Sequence, residues 1–282
     1  MSTTTFYASS PAQPLAGKRI VLTRPRAQAG EFEAHIRTLG GEPVLAPAIA
    51  IAPPEAWTVA DAALRRVETY DWIAFTSANA VHAVVERADA IGVARDVLRG
   101  RQLAAVGPAT ATAVRTALRE PDLVPETHTA EALAQELRDV GDIEGSRVLF
   151  PHGDLAGDVL PAGLRQRDAV VDAVVVYRTV AGAGVIAIAA GIRAGTVDAL
   201  LFTSSSAVRF VADALAATAP DERHGTAGRA LGRAAVVCIG PMTAEAARAA
   251  GFDRVVVAES ATQNELIEQV ARWFAARHDV GC

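Results

Sequence analysis

Trp72-Ile73-Ala74-Phe75-Thr76-Ser77-Ala78-Asn79-Ala80-Val81 and Ala199-Leu200-Leu201-Phe202-Thr203-Ser204-Ser205-Ser206-Ala207-Val208 follow one pattern. Each has an apolar run, a hydroxyl-rich corner and the start of a second apolar run. Landmarks on either side recur in the same order. Arg19-Ile20-Val21-Leu22 is answered by Arg147-Val148-Leu149-Phe150, and the apolar pair Phe32 and Ile36 by Leu160 and Leu164. Val106-Gly107-Pro108-Ala109-Thr110 is answered by Ile239-Gly240-Pro241-Met242-Thr243, and Thr129 to Leu133 by Thr262 to Leu266. Collinear matches spaced by roughly 130 residues identify an internal duplication.

Within each copy, short β-branched runs alternate with helical periodicity. Strands are expected near 19–24, 43–46, 72–76, 102–106 and 122–125, with helices near 78–89, 108–119 and 130–139. The second copy repeats strands near 147–151, 170–177, 198–202, 234–239 and 254–257. That alternation implies an α/β fold of two flavodoxin-like, doubly wound parallel-sheet domains. Prolines bracket the extended stretch Ala46 to Pro54, and Ala173 to Thr179 is its extended counterpart. If the two pair as a two-stranded linker (47–51 with 173–179), one domain comprises 15–46 plus 180–282 and the other 52–172. Residues 1–14, rich in Ser, Thr and Pro, are expected to be a flexible tail.

The chain has 282 residues, enough for two ordinary domains, with 51% apolar and 21% charged residues, as in soluble proteins. The apolar run Val180 to Ile192 is shorter than the roughly 20 residues of a bilayer span and is expected to be a buried helix. The N-terminus lacks the layout of a secretory signal, so a cytoplasmic location is expected. A formal charge of −5 argues against a nucleic-acid partner. Only Cys238 and Cys282 occur, and the six histidines show no ligand spacing, so no metal is implied.

Ligands of open parallel sheets bind beyond the carboxyl ends of the strands, where helix N-termini aim N–H groups outward. Thr76, Ser77 and Asn79 follow one such end and Thr203, Ser204, Ser205 and Ser206 another, while Thr110 and Thr243 follow Gly-Pro turns. Helix capping alone explains any one of these residues. Their recurrence at four strand ends fits a ligand carrying several carboxylates, because one helix terminus contributes only about 0.3–1 kcal/mol to an anion. No Gly-rich dinucleotide fingerprint or phosphate-binding Lys loop is present, which disfavours nucleotides.

The ordered set Leu22-Thr23-Arg24-Pro25, Phe75-Thr76-Ser77-x-Asn79-Ala80-Val81, Val106-Gly107-Pro108-x-Thr110, Val174-x-x-Tyr177-Arg178-Thr179 and Ile239-Gly240-Pro241-x-Thr243 resembles that of uroporphyrinogen-III synthases. The match runs from about Gly17 to Phe274. The resemblance implies a carbon–oxygen lyase of tetrapyrrole (heme, siroheme, cobalamin, chlorophyll) biosynthesis. Such an enzyme cyclises hydroxymethylbilane, inverts ring D through a spiro intermediate and releases water. It further implies no cofactor, a monomer with two mobile domains, and Tyr177 as the candidate catalytic group, with a hinge tyrosine packed between domains as the alternative. A phenol is protonated at neutral pH, so its role would be that of a donor. The expected substrate contacts are Arg24, Ser77, Asn79, Thr110, Arg178, Ser204, Ser206 and Thr243.

Three positions depart from the family pattern. His152 stands where relatives often carry Arg, Asp168 where a helix-ending Gly is usual, and Ser205 at a common Pro. The expected cations are therefore Arg24 and Arg178. A transient contact with hydroxymethylbilane synthase, the deaminase that makes the unstable substrate, is a further expectation. The rival readings are a non-catalytic two-lobed small-ligand sensor and a nucleotide-dependent transferase.

Overall fold

The computed structural model describes residues 13–26, 29–139, 143–217 and 234–278. In chain order the elements are β1 (Arg19–Leu22), α1 (Gly30–Thr38), β2 (Glu42–Leu45), β3 (Ile49–Ala52), α2 (Thr58–Arg65), β4 (Trp72–Phe75), α3 (Ala78–Ala90), α4 (Arg95–Arg99), β5 (Gln102–Ala105), α5 (Pro108–Ala117) and α6 (Ala130–Asp139). There follow β6 (Arg147–Gly153), α7 (Val159–Arg165), β7 (Val170–Ala181), α8 (Gly184–Arg193), β8 (Ala199–Phe202), α9 (Ser205–Ala217), β9 (Ala235–Cys238), α10 (Pro241–Ala249), β10 (Val255–Val257) and α11 (Gln263–His278).

The chain divides into two compact units. One combines both ends of the chain, up to Ala50 and from Val180, and the other is Ile51–Thr179. In the first, the sheet order is β10-β9-β8-β1-β2, with all four neighbouring pairs parallel. Side chains alternate across the pleat, so both faces of these strands must be covered. Ile20, Leu22, Leu201 and Val237 pack with Phe32 and Ile36 of α1 and Leu266, Ile267 and Val270 of α11. Val21, Leu200, Phe202 and Val236 pack on the other face with Ile188 of α8, Val211 of α9 and Ala247 of α10.

The second unit has the order β3-β7-β6-β4-β5, with β4–β5, β4–β6 and β6–β7 parallel. Trp72 and Ala74 turn toward Leu133, Leu137, Leu160 and Leu164 of α6 and α7. Ile73 and Phe75 turn toward Leu64 of α2, Val81 and Val84 of α3, and Val114 of α5. Each of these buried large side chains contributes about 1.5–3 kcal/mol. Each unit thus draws strands from both halves of the sequence. The first unit takes β1 and β2 from the first half and β8 to β10 from the second, whereas the other unit takes β3, β4 and β5 from the first half and β6 and β7 from the second.

Two expectations need correction. The strand expected near 122–125 is reduced to one bridge, Ala104 to Leu123, and β3 is the fifth strand of that sheet. Pro121 and Pro125 flank the bridge, and a residue without an N–H cannot extend a ladder. The apolar run from Val180 is not one buried helix. Its first two residues finish β7, and α8 buries Val185, Ile188, Ala189 and Ile192 while leaving Ile186 72% exposed. Glycines supply part of that run's hydrophobicity without supplying a fully apolar surface.

Asp168, where a helix-ending glycine is usual, sits just after α7 at φ 58, a left-handed conformation that Asp tolerates better than most residues. Among the described residues no helix is long and apolar enough to cross a membrane, and no group of three or more His, Cys, Asp or Glu is placed to hold a metal. Burial pushes the Cys238 thiol up to about 12, which leaves it a packing residue.

A polar cluster closes the amino edge of the second sheet. The Asp172 carboxylate accepts from the Tyr70 hydroxyl at 2.6 Å and from Arg66 at 3.0 Å, with Arg147 at 3.6 Å. Burial opposes its charge, but donation from Tyr70 and Arg66 and the nearby guanidinium charges outweigh burial and hold the carboxyl below its usual range. A carboxyl depressed in the fold stabilises above its unfolded pKa of about 3.9, and that contribution is lost as pH falls. Asp172→Asn should therefore cost about 1.5–2 kcal/mol at neutral pH, the low end of the scale of a hydrogen bond to a charged group because the carboxylate is partly exposed. Urea unfolding of both proteins at pH 7 and pH 3 checks this, since the gap should shrink at the lower pH.

Candidate active site

The carboxyl edge of the Ile51–Thr179 sheet gathers five of the expected site residues. Ser77 ends the turn after β4 in an extended conformation, φ −154 and ψ 148, and its Oγ accepts from the Ala80 N–H at 3.1 Å, capping α3. Ser77 Oγ also lies 3.1 Å from the Tyr177 hydroxyl. A register shift between His152 and Gly153 pairs Gly153 with Tyr177 rather than with the next residue in step. Such an irregularity re-aims side chains, and here it lays the half-buried Tyr177 ring against Gly153. A Cβ at Gly153 would fall 2.4 Å from Tyr177 Cζ and 2.7 Å from its hydroxyl.

The strand beyond the ring is pinned. Asp154 N–H donates to the Tyr177 carbonyl at 3.1 Å, and Asp154 Oδ1 accepts from Thr179 N–H at 2.9 Å. Arg178 donates to the Pro53 carbonyl and pairs with Glu55, both at 3.1 Å, so in this structure it anchors β7. The His152 ring stacks on Phe150 at 4.9 Å and bonds the Gly153 carbonyl at 2.8 Å. Asn79 is exposed on the first turn of α3, two residues beyond Ser77. Thr110 is only 5% exposed, on the core face of α5, although Gly107 and Pro108 do open that helix. A recess of about 440 Å³ borders Tyr177, lined by Trp57, Asn79, His82, Ala83 and Val176 among others.

The remaining expected residues lie in the other unit, at the same end of its sheet. Thr23 Oγ1 donates to the Leu201 carbonyl at 2.8 Å, tying the ends of β1 and β8. Arg24 follows, its guanidinium 5.3 Å from the Phe32 ring centroid, and burial lowers its pKa from the ordinary value. Ser204 caps α9 by accepting from Ala207 N–H at 3.2 Å, as Ser77 caps α3. Ser205 donates to the Met242 carbonyl at 3.2 Å, joining the starts of α9 and α10, and Ser206 accepts from Arg209 at 3.3 Å. Thr243 is 5% exposed, matching Thr110.

Reading the sequence overlooked Gly153, Trp57 and His82. The contact at Gly153 arises from the register shift, which leaves no local signal, whereas His82 lies one helical turn beyond Asn79 on the same face.

A family model described as "Uroporphyrinogen-III synthase HemD" matches residues 30–268. The uroporphyrinogen-III synthase of Synechococcus elongatus is 31% identical over 204 residues, covering 70% of this chain and 74% of that protein. The porphyrin biosynthesis protein HemD of Ruminiclostridium josui is 29% identical over 92% of this chain and 49% of its own length. Among solved structures, a mutant uroporphyrinogen III synthase from Thermus thermophilus superposes with a TM-score of 0.60 at 21% identity, over 92% of this chain and 100% of that one. The Helicobacter pylori uroporphyrinogen-III synthetase does so with 0.56 at 12% identity, over 91% and 99%. These two structures share the fold. By the span of the family model and the cyanobacterial relative, the chain belongs to the uroporphyrinogen-III synthase family.

Proposed function

We infer that this protein is a uroporphyrinogen-III synthase, a carbon–oxygen lyase that converts hydroxymethylbilane to uroporphyrinogen III with inversion of ring D and loss of water. Family membership supports the reaction, and the observation that carries the site is the Tyr177 and Ser77 hydroxyl pair, 3.1 Å apart at a strand carboxyl edge. The substrate's pyrrole nitrogen pushes out the terminal hydroxyl, which leaves as water after taking a proton. The terminal ring gives up one hydrogen when the last carbon–carbon bond forms, so the reaction balances without another reagent. Tyr177 can donate to the departing hydroxyl, and Ser77, already accepting from Ala80, can donate to the phenol oxygen as it loses its proton.

Most of the task is orientation. The reactive chain end can close directly to the unreversed isomer, so the enzyme must hold ring D with its substituted carbon foremost until the spiro intermediate forms. The exposed Asn79 and the helix starts at Ser77 and Gly107 supply donors for acetate and propionate arms, and the other unit carries helix starts of the same kind at Ser204 and Gly240. Thr110 and Thr243 then act by shaping those starts, and Arg24 is the cation offered to substrate. The protein works in the cytoplasm as a monomer and receives its unstable substrate through transient contact with hydroxymethylbilane synthase.

The test supplies freshly generated hydroxymethylbilane and resolves the isomers. Uroporphyrinogen III above the protein-free control supports the function, and type I alone overturns it.

A further inference from the structure

The recess beside Tyr177 has walls that the capping residues do not explain. Trp57, just before α2, faces the outward side of α3. Arg87 lies 4.9 Å from the Trp57 ring centroid and is gripped by Asp61 through two bonds of 2.6 Å. A cation held on both sides fixes the indole plane before any ligand arrives. Ala83 leaves the floor between Trp57 and Val176 open, and Asn79 and His82 stand exposed toward the start of α3, with Glu86 one turn further along. The volume, about 440 Å³, falls within the range of small-molecule sites and suits one substituted pyrrole rather than a whole tetrapyrrole.

We propose that this recess is a subsite for a single pyrrole of the substrate, with its ring against Trp57 and Ala83 and its carboxylate arms at Asn79 and His82. The inference rests on the synthase reading and specifies where one ring is held during closure. Polarity along the recess sets the direction. Carboxylates are favoured at the amino end of α3 by its dipole. Glu86, a turn further on, repels them and can accept the pyrrole N–H. The indole face offers an offset stacking surface to the planar ring. Because Tyr177 lines the same recess, a ring seated there lies beside the proposed donor.

Two substitutions test the subsite. Ala83→Leu fills the floor with a residue of good helix propensity, and His82→Ala removes an exposed side chain on which the fold does not depend. For Ala83→Leu, the KM for hydroxymethylbilane should rise about tenfold with kcat changed by less than about threefold, the pattern of lost binding. His82→Ala should raise KM about threefold by the same reasoning. The probe is a monopyrrole bearing one acetate and one propionate arm, which should inhibit the parent competitively and lose that effect in Ala83→Leu. Type III formation by the parent together with an unchanged KM and unchanged monopyrrole inhibition in Ala83→Leu overturns the subsite alone. Type I alone from the parent overturns the synthase reading and the subsite with it.

Discussion

Gly153→Ala is expected to cut type III formation by about a hundredfold, the scale of an ångström-sized displacement of a reacting group. The added methyl would lie 2.4 Å from Tyr177 Cζ, 2.5 Å from Cε2 and 2.7 Å from the hydroxyl, distances at which one partner must leave. The backbone at Gly153 is held by the β6–β7 ladder and by the Asp154 and Tyr177 bond, so the ring is what moves. Swinging aside, it loses Ser77 and intrudes on the recess that it lines. Fold stability should change little, since the ring is only half-buried. Isomer-resolved rates and thermal melting of the same preparation check both statements, and full activity in Gly153→Ala would mean that Tyr177 need not sit against that strand.

Gly184→Ala carries the largest expected loss of stability. A Cβ there would meet only backbone: Ala46 C at 2.4 Å, and Pro47 N and O at 2.6 Å each. Unlike a tyrosine ring, these atoms have no rotamer to escape into. Gly184 N–H donates to the Pro47 carbonyl and Gly182 N–H to that of Ala48, both at 3.0 Å, so the start of α8 and the exit from β2 are laced together. Forcing them apart should cost about 2–3 kcal/mol, as overpacking does. In a unit of this size that lowers the melting temperature by about 5–10 °C. Calorimetry on Gly184→Ala measures it, and an unchanged melt would mean that the crossover is looser than its contacts indicate.

Much of the architecture was legible because it rests on repetition and period. The paired motifs around Phe75 and Phe202 mark equivalent strands, β4 and β8, and each is followed by a capped helix in the structure. What escaped reading depends on partners distant in sequence. The pairing of 47–51 with 173–179 was legible as a two-stranded linker and is present as β3 beside β7, whereas its place at the edge of the second sheet was not legible. Leu123 has a strand-like residue type, and neighbouring prolines limit it to one bridge.

At the site, several expected residues already have protein partners that the sequence did not reveal. Ser77 was expected to touch substrate, and its oxygen already serves both Ala80 and Tyr177. Arg178 was expected to be a cation for substrate, and Glu55 and Pro53 hold it. Thr110 and Thr243 fall on buried helix faces, because a helix opened by Gly-Pro turns its third residue inward at both places. Side-chain direction of this kind follows from packing around each helix rather than from the motif.

The claim on which the rest depends is that catalysis takes place where Tyr177 meets Ser77. Tyr177→Phe removes one oxygen and keeps the ring on Gly153, so it separates the hydroxyl's chemistry from its packing. General acid assistance can contribute 10²–10⁴-fold, but pyrrole electron release shares the work, so a drop of about tenfold in type III formation is expected at an unchanged melting temperature. A Tyr177→Phe protein that forms type III at the parent rate would contradict the account.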